Sequence, residues 1–273
     1  MKKIELTPKE IDLKAYRSRS AFEQDAKKLI DFDCLITQGG KPVILYKKLD
    51  IDTSELRKAV RSIQYATSTR TNGLKTTSAI FGYRPRVAVR NDYCTATAMA
   101  TNDKRNHGII AGFATQLTEY YEKYFPEIFE MHHQVVGQRV KDEWTIPGTP
   151  FTSGIVNKNN PLKYHHDKGN FKGVLSNMIV FKRDVRGGHL ACPEFDLKFE
   201  CADNTLVIFN GQNILHGVTP IKYLTKQAYR YSTVYYSLEQ MWKCDSVDEE
   251  LIRIRELKLK RELKRIKKEG ENK

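Results

Sequence analysis

The sequence predicts an α+β protein in which a β-sandwich or barrel follows a helical N-terminal part and precedes a basic helix. Three observations carry this. After Trp144, short β-rich runs alternate with Gly, Pro, Asn and Asp turns, as in sandwiches and barrels. Before it, apolar residues recur at helical spacing. From Val247 the chain becomes highly charged, with Leu251, Ile254, Leu257 and Ile266 roughly on one helical face. The 273 residues, 40% of them hydrophobic, are enough for one sizeable core. We expect a single domain over 1–246 (a helical and hairpin part at 1–143, a β core at 144–240) and a basic helical tail at 247–273.

Taken in order, Thr7-Pro8-Lys9-Glu10 reads as a helix start, with a capping Thr, Pro at the first position and Glu three residues after the cap. Cys34 to Tyr46 reads as a hairpin turning at Gln38-Gly39-Gly40-Lys41. Asp52-Thr53-Ser54-Glu55 caps a helix running to about Ile63. Residues 65–79, rich in Ser, Thr, Gly and Asn, read as a mobile polar loop. One helix is expected from about His107 to Tyr124 and another from Pro126 to about Val140. The β-runs are Phe151–Val156, Val174–Phe181, Phe195–Cys201, Thr205–Phe209, Leu215–Pro220 and Tyr229–Tyr236. There is no internal repeat.

The formal net charge of +13 suggests a polyanionic partner, because Lys and Arg gain affinity for phosphate backbones by releasing counterions. Residues 251–273 carry ten basic and four acidic side chains, so the tail reads as a solvated helix or as an arm against a nucleic-acid backbone. The five cysteines are odd in number and scattered, which argues against a disulfide framework and a structural zinc site and suits a reducing compartment. Neither a signal-peptide core nor a membrane-length apolar run is present, so a cytoplasmic protein is expected, without membrane contact and monomeric.

The chemistry centres on Tyr164-His165-His166-Asp167-Lys168-Gly169-Asn170. On a strand alternate residues share a face, so His165 and Asp167 would point together into a barrel mouth and His166 away from it. A third ligand must come from elsewhere, and His216 in Leu215-His216-Gly217-Val218-Thr219-Pro220 is the candidate. Two imidazoles and a carboxylate on one face leave positions open for a chelating keto acid and O2, the arrangement of non-haem Fe(II) oxygenases. In Tyr229-Arg230-Tyr231-Ser232, Arg230 and Ser232 share a strand face, and a guanidinium with a hydroxyl suits the distal carboxylate of 2-oxoglutarate. Histidines 107, 132, 133 and 189 read as surface, core or capping residues.

The residues Phe151-Thr152-Ser153, Asn157, His165-x-Asp167-x-x-Asn170, Gly187-Gly188-x-Leu190, Pro193-Glu194, Phe209-x-Gly211-Gln212 and His216-Gly217-Val218-Thr219-Pro220 resemble the oxygenase domain of the TET/J-binding-protein family. The resemblance spans roughly 80–240. It implies a double-stranded β-helix (jelly-roll, cupin-like) and Fe(II)- and 2-oxoglutarate-dependent oxidation, with O2, of the 5-methyl group of 5-methylcytosine or thymine in DNA. Carried over, His165, Asp167 and His216 would hold iron, Arg230 and Ser232 the co-substrate, and Asn170 the target base, flipped out of its duplex. The animal TET zinc-binding segments and a separate J-base-binding domain are missing, so the chain is similar to minimal bacteriophage-type members, which would place it in a host cytoplasm. Phe81, Tyr83, Arg84, Arg86 and Arg90 interleave aromatic and basic character and are candidate DNA contacts, the arginines also candidates for the keto-acid end of 2-oxoglutarate. Two other readings remain open: the same chemistry on a protein side chain, free nucleotide or small metabolite, and a non-catalytic DNA-binding barrel.

Overall fold

The computed structural model describes residues 1–16, 19–69, 75–87 and 92–271. Its strands are β1 (Lys2–Glu5), β2 (Lys28–Ile30), β3 (Cys34–Gln38), β4 (Lys41–Lys48), β5 (Ala66–Thr69), β6 (Lys75–Arg84), β7 (Thr95–Ala96), β8 (Ser153–Lys158) and β9 (Leu162–His165). They continue with β10 (Ser176–Arg183), β11 (Val185–Gly187), β12 (Leu190–Cys192), β13 (Leu197–Phe199), β14 (Thr205–Phe209), β15 (His216–Val218), β16 (Ile221–Tyr223) and β17 (Tyr229–Tyr236). The helices are α1 (Leu13–Tyr16), α2 (Ser54–Ser62), α3 (Ala98–Asn102), α4 (Lys104–Gly112), α5 (Ala114–Tyr124), α6 (Pro126–Arg139) and α7 (Val247–Glu271).

The fold is mixed α+β with two large sheets. The major sheet runs β1-β3-β4-β14-β10-β17-β8-β6-β5, with β7 beside β6, and the minor sheet runs β2-β13-β12-β15-β9. Period-two alternation divides the side chains of the major sheet between two cores. Ile179 and Phe181 of β10, and Leu206 and Ile208 of β14, pack with Leu56 and Val60 of α2, Ile110 of α4 and Leu117 and Tyr121 of α5. Met178, Val180, Val207 and Phe209 face the other way and meet Leu190, Leu197 and Phe199 of the minor sheet. The order is thus helices, major sheet, minor sheet. Phe81, Phe151 and Tyr235, each fully buried, anchor the helical side. Burial of each such aromatic is worth about 1.5–3 kcal/mol.

The hairpin, the helices opening at Ser54 and Pro126, and the strands β14 and β17 lie where the sequence places them. Four expectations are corrected. Thr7-Pro8-Lys9-Glu10 starts no helix: Lys9 donates its N–H to the Glu194 carbonyl at 2.6 Å, and the residues before it form a strand parallel to β3. Remote backbone partners overrode the capping pattern. Of residues 65–79, the described ones are largely strand, as β-branched Thr favours: β5 is the edge of the major sheet, and β6 joins it to β8; residues 70–74 lie outside the described residues. The single helix expected at 107–124 is two, broken between Gly112 and Ala114 where Phe113 turns into the core. Cys94 and Cys244 form a disulfide across a sequence separation of 150, a pairing no local spacing reveals, while Cys34, Cys192 and Cys201 are free and buried.

No helix among the described residues is long and apolar enough to cross a membrane.

Candidate metal centre and its cavity

Between the two sheets lies a cavity of about 510 Å³. The minor sheet contributes Leu162 and His165 from β9, Leu190 from β12, and His216 and Val218 from β15 to its wall; the major sheet contributes Asn157, Met178, Phe209 and Ser232. On β9 Tyr164 points outward, into a small cluster with Ala21, Ala191 and Leu215, so His165 points in. The strand β15 pairs antiparallel with β9 and sets His216 directly opposite His165. The two rings lie with centroids 4.3 Å apart.

The carboxylate arrives differently from the sequence expectation. Strand β9 ends at His165, so Asp167 does not share its strand face; the Asp167 N–H donating to the Gly211 carbonyl at 2.8 Å fixes its position instead. The same break lets His166, expected to point away, reach the cavity wall. Asp167 Oδ1 lies 3.6 Å from His165 Nε2 and 3.7 Å from His216 Nε2. The three ligand atoms all fall within 4.8 Å of one another.

Both imidazoles are held in a common orientation. The Nδ1 of His165 lies 2.7 Å from the Lys163 carbonyl and that of His216 2.9 Å from the Ile214 carbonyl. Donation to a carbonyl fixes the proton on Nδ1 and leaves the Nε2 lone pair facing the carboxylate, the arrangement of metal-binding histidines. Burial pushes the His216 imidazole down to about 4, against the pull of Asp167, so it is neutral at physiological pH and able to ligate. Two imidazoles and a carboxylate suit a divalent iron.

Gly211 is required by this geometry. A β-carbon there would sit 2.1 Å from Asp167 Oδ2 and 3.2 Å from His216 Cε1. Gly211→Ala should therefore displace the carboxylate and weaken Fe(II) binding by about 10–100-fold, as substitutions behind metal ligands do. Equilibrium dialysis with Fe(II), alongside thermal melting of the metal-free protein, checks this; unchanged iron affinity would show that Asp167 is not confined by Gly211.

Arg230 lies on β17, two residues before Ser232 on the same face. Ser232 lines the cavity; Arg230 lies behind the wall and is 1% exposed. Asn159 holds its backbone on both sides, the Arg230 N–H donating to Asn159 Oδ1 at 2.7 Å and the Asn159 N–H to the Arg230 carbonyl at 2.8 Å. Gly188, whose added β-carbon would come 2.8 Å from Arg230 Cδ, makes room for the side-chain stem. Burial lowers the pKa of the guanidinium, and its Nε and Nη2 find no hydrogen-bond partner within the protein. A buried cation with orphaned donors is costly unless an anion completes it, which fits the carboxylate of a small acid.

Asn170 also lines the cavity. Its Nδ2 donates to Ser176 Oγ at 3.3 Å, and its backbone carbonyl accepts from Gln212 Nε2. The other candidates lie apart. Phe81 is wholly buried in the helical-side core, where no nucleic acid reaches it, and Tyr83 packs edge-on to Trp144. Arg86 binds Glu250 and Asp245, and Arg84 lines a separate groove with Tyr65 and Met99, so neither reaches the cavity. Arg90 lies outside the described residues. His107 accepts from the Gly82 N–H, and buried His132 joins Tyr121 to Ser237, both structural roles. Asn159, Gly188 and Gly211 support the site from behind; residue type alone does not mark Asn159, whereas the two glycines fall in the Gly187-Gly188 and Gly211-Gln212 motifs.

Comparison with known proteins agrees with this geometry. Residues 89–239 match Tet_JBP, the oxygenase domain of the 2OGFeDO (2-oxoglutarate/Fe(II) dioxygenase) superfamily, over more than half of the chain. The chain belongs to the Tet/JBP family. It is accordingly an oxygenase of the superfamily that uses iron, 2-oxoglutarate and O2. Among curated relatives of this Tet/JBP chain, the bifunctional helicase and thymine dioxygenase JBP2 of Leishmania braziliensis is 24% identical over 228 residues, covering 81% of this chain and 20% of that protein. The Leishmania infantum JBP2 is 25% identical over 213 residues, covering 76% and 19%. The chain thus spans about a fifth of the length of the curated relatives it matches. Its fold is similar to that of NgTET1, solved in complex with 5mC DNA, with a TM-score of 0.61 at 15% identity, covering 84% of this chain and 87% of that one.

Proposed function

We propose that this chain hydroxylates the 5-methyl group of a pyrimidine in DNA, converting 5-methylcytosine to 5-hydroxymethylcytosine or thymine to 5-hydroxymethyluracil. The carrying observation is the convergence of His165, Asp167 and His216 ligand atoms within 4.8 Å on the wall of one cavity. In this reading the two sheets are the halves of a double-stranded β-helix that forms the core of a single catalytic domain, with α7 as its tail. His165, Asp167 and His216 hold Fe(II), and Arg230 with Ser232 holds the distal carboxylate of 2-oxoglutarate. Iron with 2-oxoglutarate and O2 supplies the oxidation, giving succinate, CO2 and the hydroxymethyl base.

The protein's contribution is positioning and exclusion of water. Phe209, 4% exposed, packs edge-on to the His216 ring at 5.0 Å and keeps that side of the centre dry. A methyl group in a stacked duplex cannot enter a cavity between two sheets, so the target base must be extruded. In this reading Asn170, on the same wall, meets its hydrogen-bonding edge. The substrate class rests on the relatives, which are named thymine dioxygenases or were solved with 5mC DNA.

Mass spectrometry of nucleosides from methylated and unmethylated duplexes, incubated with protein, Fe(II), 2-oxoglutarate and O2, tests this. We expect a hydroxymethylpyrimidine from duplex and none from the free nucleoside. Turnover of 2-oxoglutarate with an unmodified duplex product, or oxidation of the free nucleoside alone, would overturn it.

A further inference from the structure

We propose that the C-terminal helix α7 is a contact face for the duplex phosphate backbone, formed by Lys260, Arg261, Lys264, Lys267 and Lys268; the inference deepens the DNA reading above and rests on it.

The helix is fixed at its root. Glu250, 1% exposed, accepts from Arg86 Nε at 3.0 Å, from the Cys94 N–H at 2.9 Å and from the Asp245 N–H at 3.0 Å. Arg253 adds an ion pair to Asp92 at 2.7 Å, and the disulfide from Cys94 to Cys244 fastens the preceding residues. This root is close to the cavity. Cys94, Cys244 and Met241 share one apolar cluster with Phe171, and Leu238, which packs against that cluster, also lines the cavity beside Asn170.

Beyond Leu257 the helix is exposed along its length to Glu269. At about 100° per residue, its side chains sort into three stripes. Lys260, Arg261, Lys264, Lys267 and Lys268 fall within about a third of the circumference, a sector that holds no acidic residue between positions 258 and 269. Glu262 and Glu269 lie on a second stripe, both within reach of Arg265 at 2.7 and 3.7 Å. Ile252, Leu259, Leu263 and Ile266, each more than half exposed, form the third. Over this stretch the two acids lie on one side of the helix, and the other side is basic.

A polyanion is the complement of such a face. From residue 260 to 268 the helix rises about 12 Å, over which a duplex presents about seven phosphates. The contact carries no base information; it would hold the duplex in place while the base enters the cavity.

The test compares the full-length protein with Lys260→Gln/Lys264→Gln/Lys267→Gln/Lys268→Gln, using fluorescence anisotropy of a short unmodified duplex between about 50 and 200 mM salt. A variant with equal charge loss elsewhere, Lys2→Gln/Lys3→Gln/Lys14→Gln/Lys41→Gln, is the control, and retained iron binding reports an intact body. We expect the tail variant to bind at least tenfold more weakly, with the slope of log affinity against log salt reduced by about 3–4, and the control to change that slope by less than about 1. Equal effects in both variants, no effect in the tail variant, or wild-type binding to phosphatidylserine vesicles but not to duplex would overturn the inference. Because binding of unmodified duplex needs no turnover, tail-dependent binding without base oxidation would retain this inference and reject the substrate reading. Base oxidation with tail-independent binding would do the reverse.

Discussion

Asp167→Ala should lower the affinity for Fe(II) by at least about a hundredfold, beyond the effect of substitutions behind metal ligands, and should abolish turnover of 2-oxoglutarate. The carboxylate stands between two imidazole nitrogens at 3.6 and 3.7 Å, and without it only the two imidazole donors remain. Its side chain is 30% exposed, so the metal-free fold should survive the change. Iron content by dialysis and melting of the metal-free protein separate the two effects. His165→Ala should behave alike. If Asp167 were only a structural partner of the histidines, the variant would melt earlier and iron would bind neither form.

Arg230→Met should weaken 2-oxoglutarate binding at least tenfold, because losing one member of a buried charged pair costs about 2–5 kcal/mol. The same change should leave the melting temperature of the ligand-free protein unaltered or raise it. In that state the guanidinium is buried with Nε and Nη2 unpaired, a liability that a methionine of similar length removes. The opposite signs distinguish this role from a structural one. Calorimetric titration with 2-oxoglutarate and a melting curve suffice, and a less stable protein with unchanged 2-oxoglutarate affinity would reject the assignment.

The site was more legible than its scaffold. His165 and His216 could be read from residue type and β-context, and the structure sets them opposite each other across two paired strands. Asp167 converges on them for a reason the sequence did not give, a backbone bond to Gly211 rather than strand alternation. The periodicity of β17 correctly placed Arg230 and Ser232 on one face, but not the depth of Arg230 behind the wall. What escaped depends on pairing between remote segments. β1 is recruited by β3, β6 by β8, β5 by β6, and Cys94 by Cys244. Phe81 and Arg86 looked like ligands for DNA because aromatic and basic residues alternate there. Phe81 belongs to the core, and the Arg86 charge is used on Glu250 to root the last helix.

The most direct test of the account is anaerobic binding of Fe(II) and 2-oxoglutarate to the wild-type chain. One Fe(II) per chain, and 2-oxoglutarate binding that appears only once the metal is present and disappears in Asp167→Ala, is the predicted result. Metal binding that survives loss of Asp167, or 2-oxoglutarate that binds with equal affinity in the absence of iron, would contradict it.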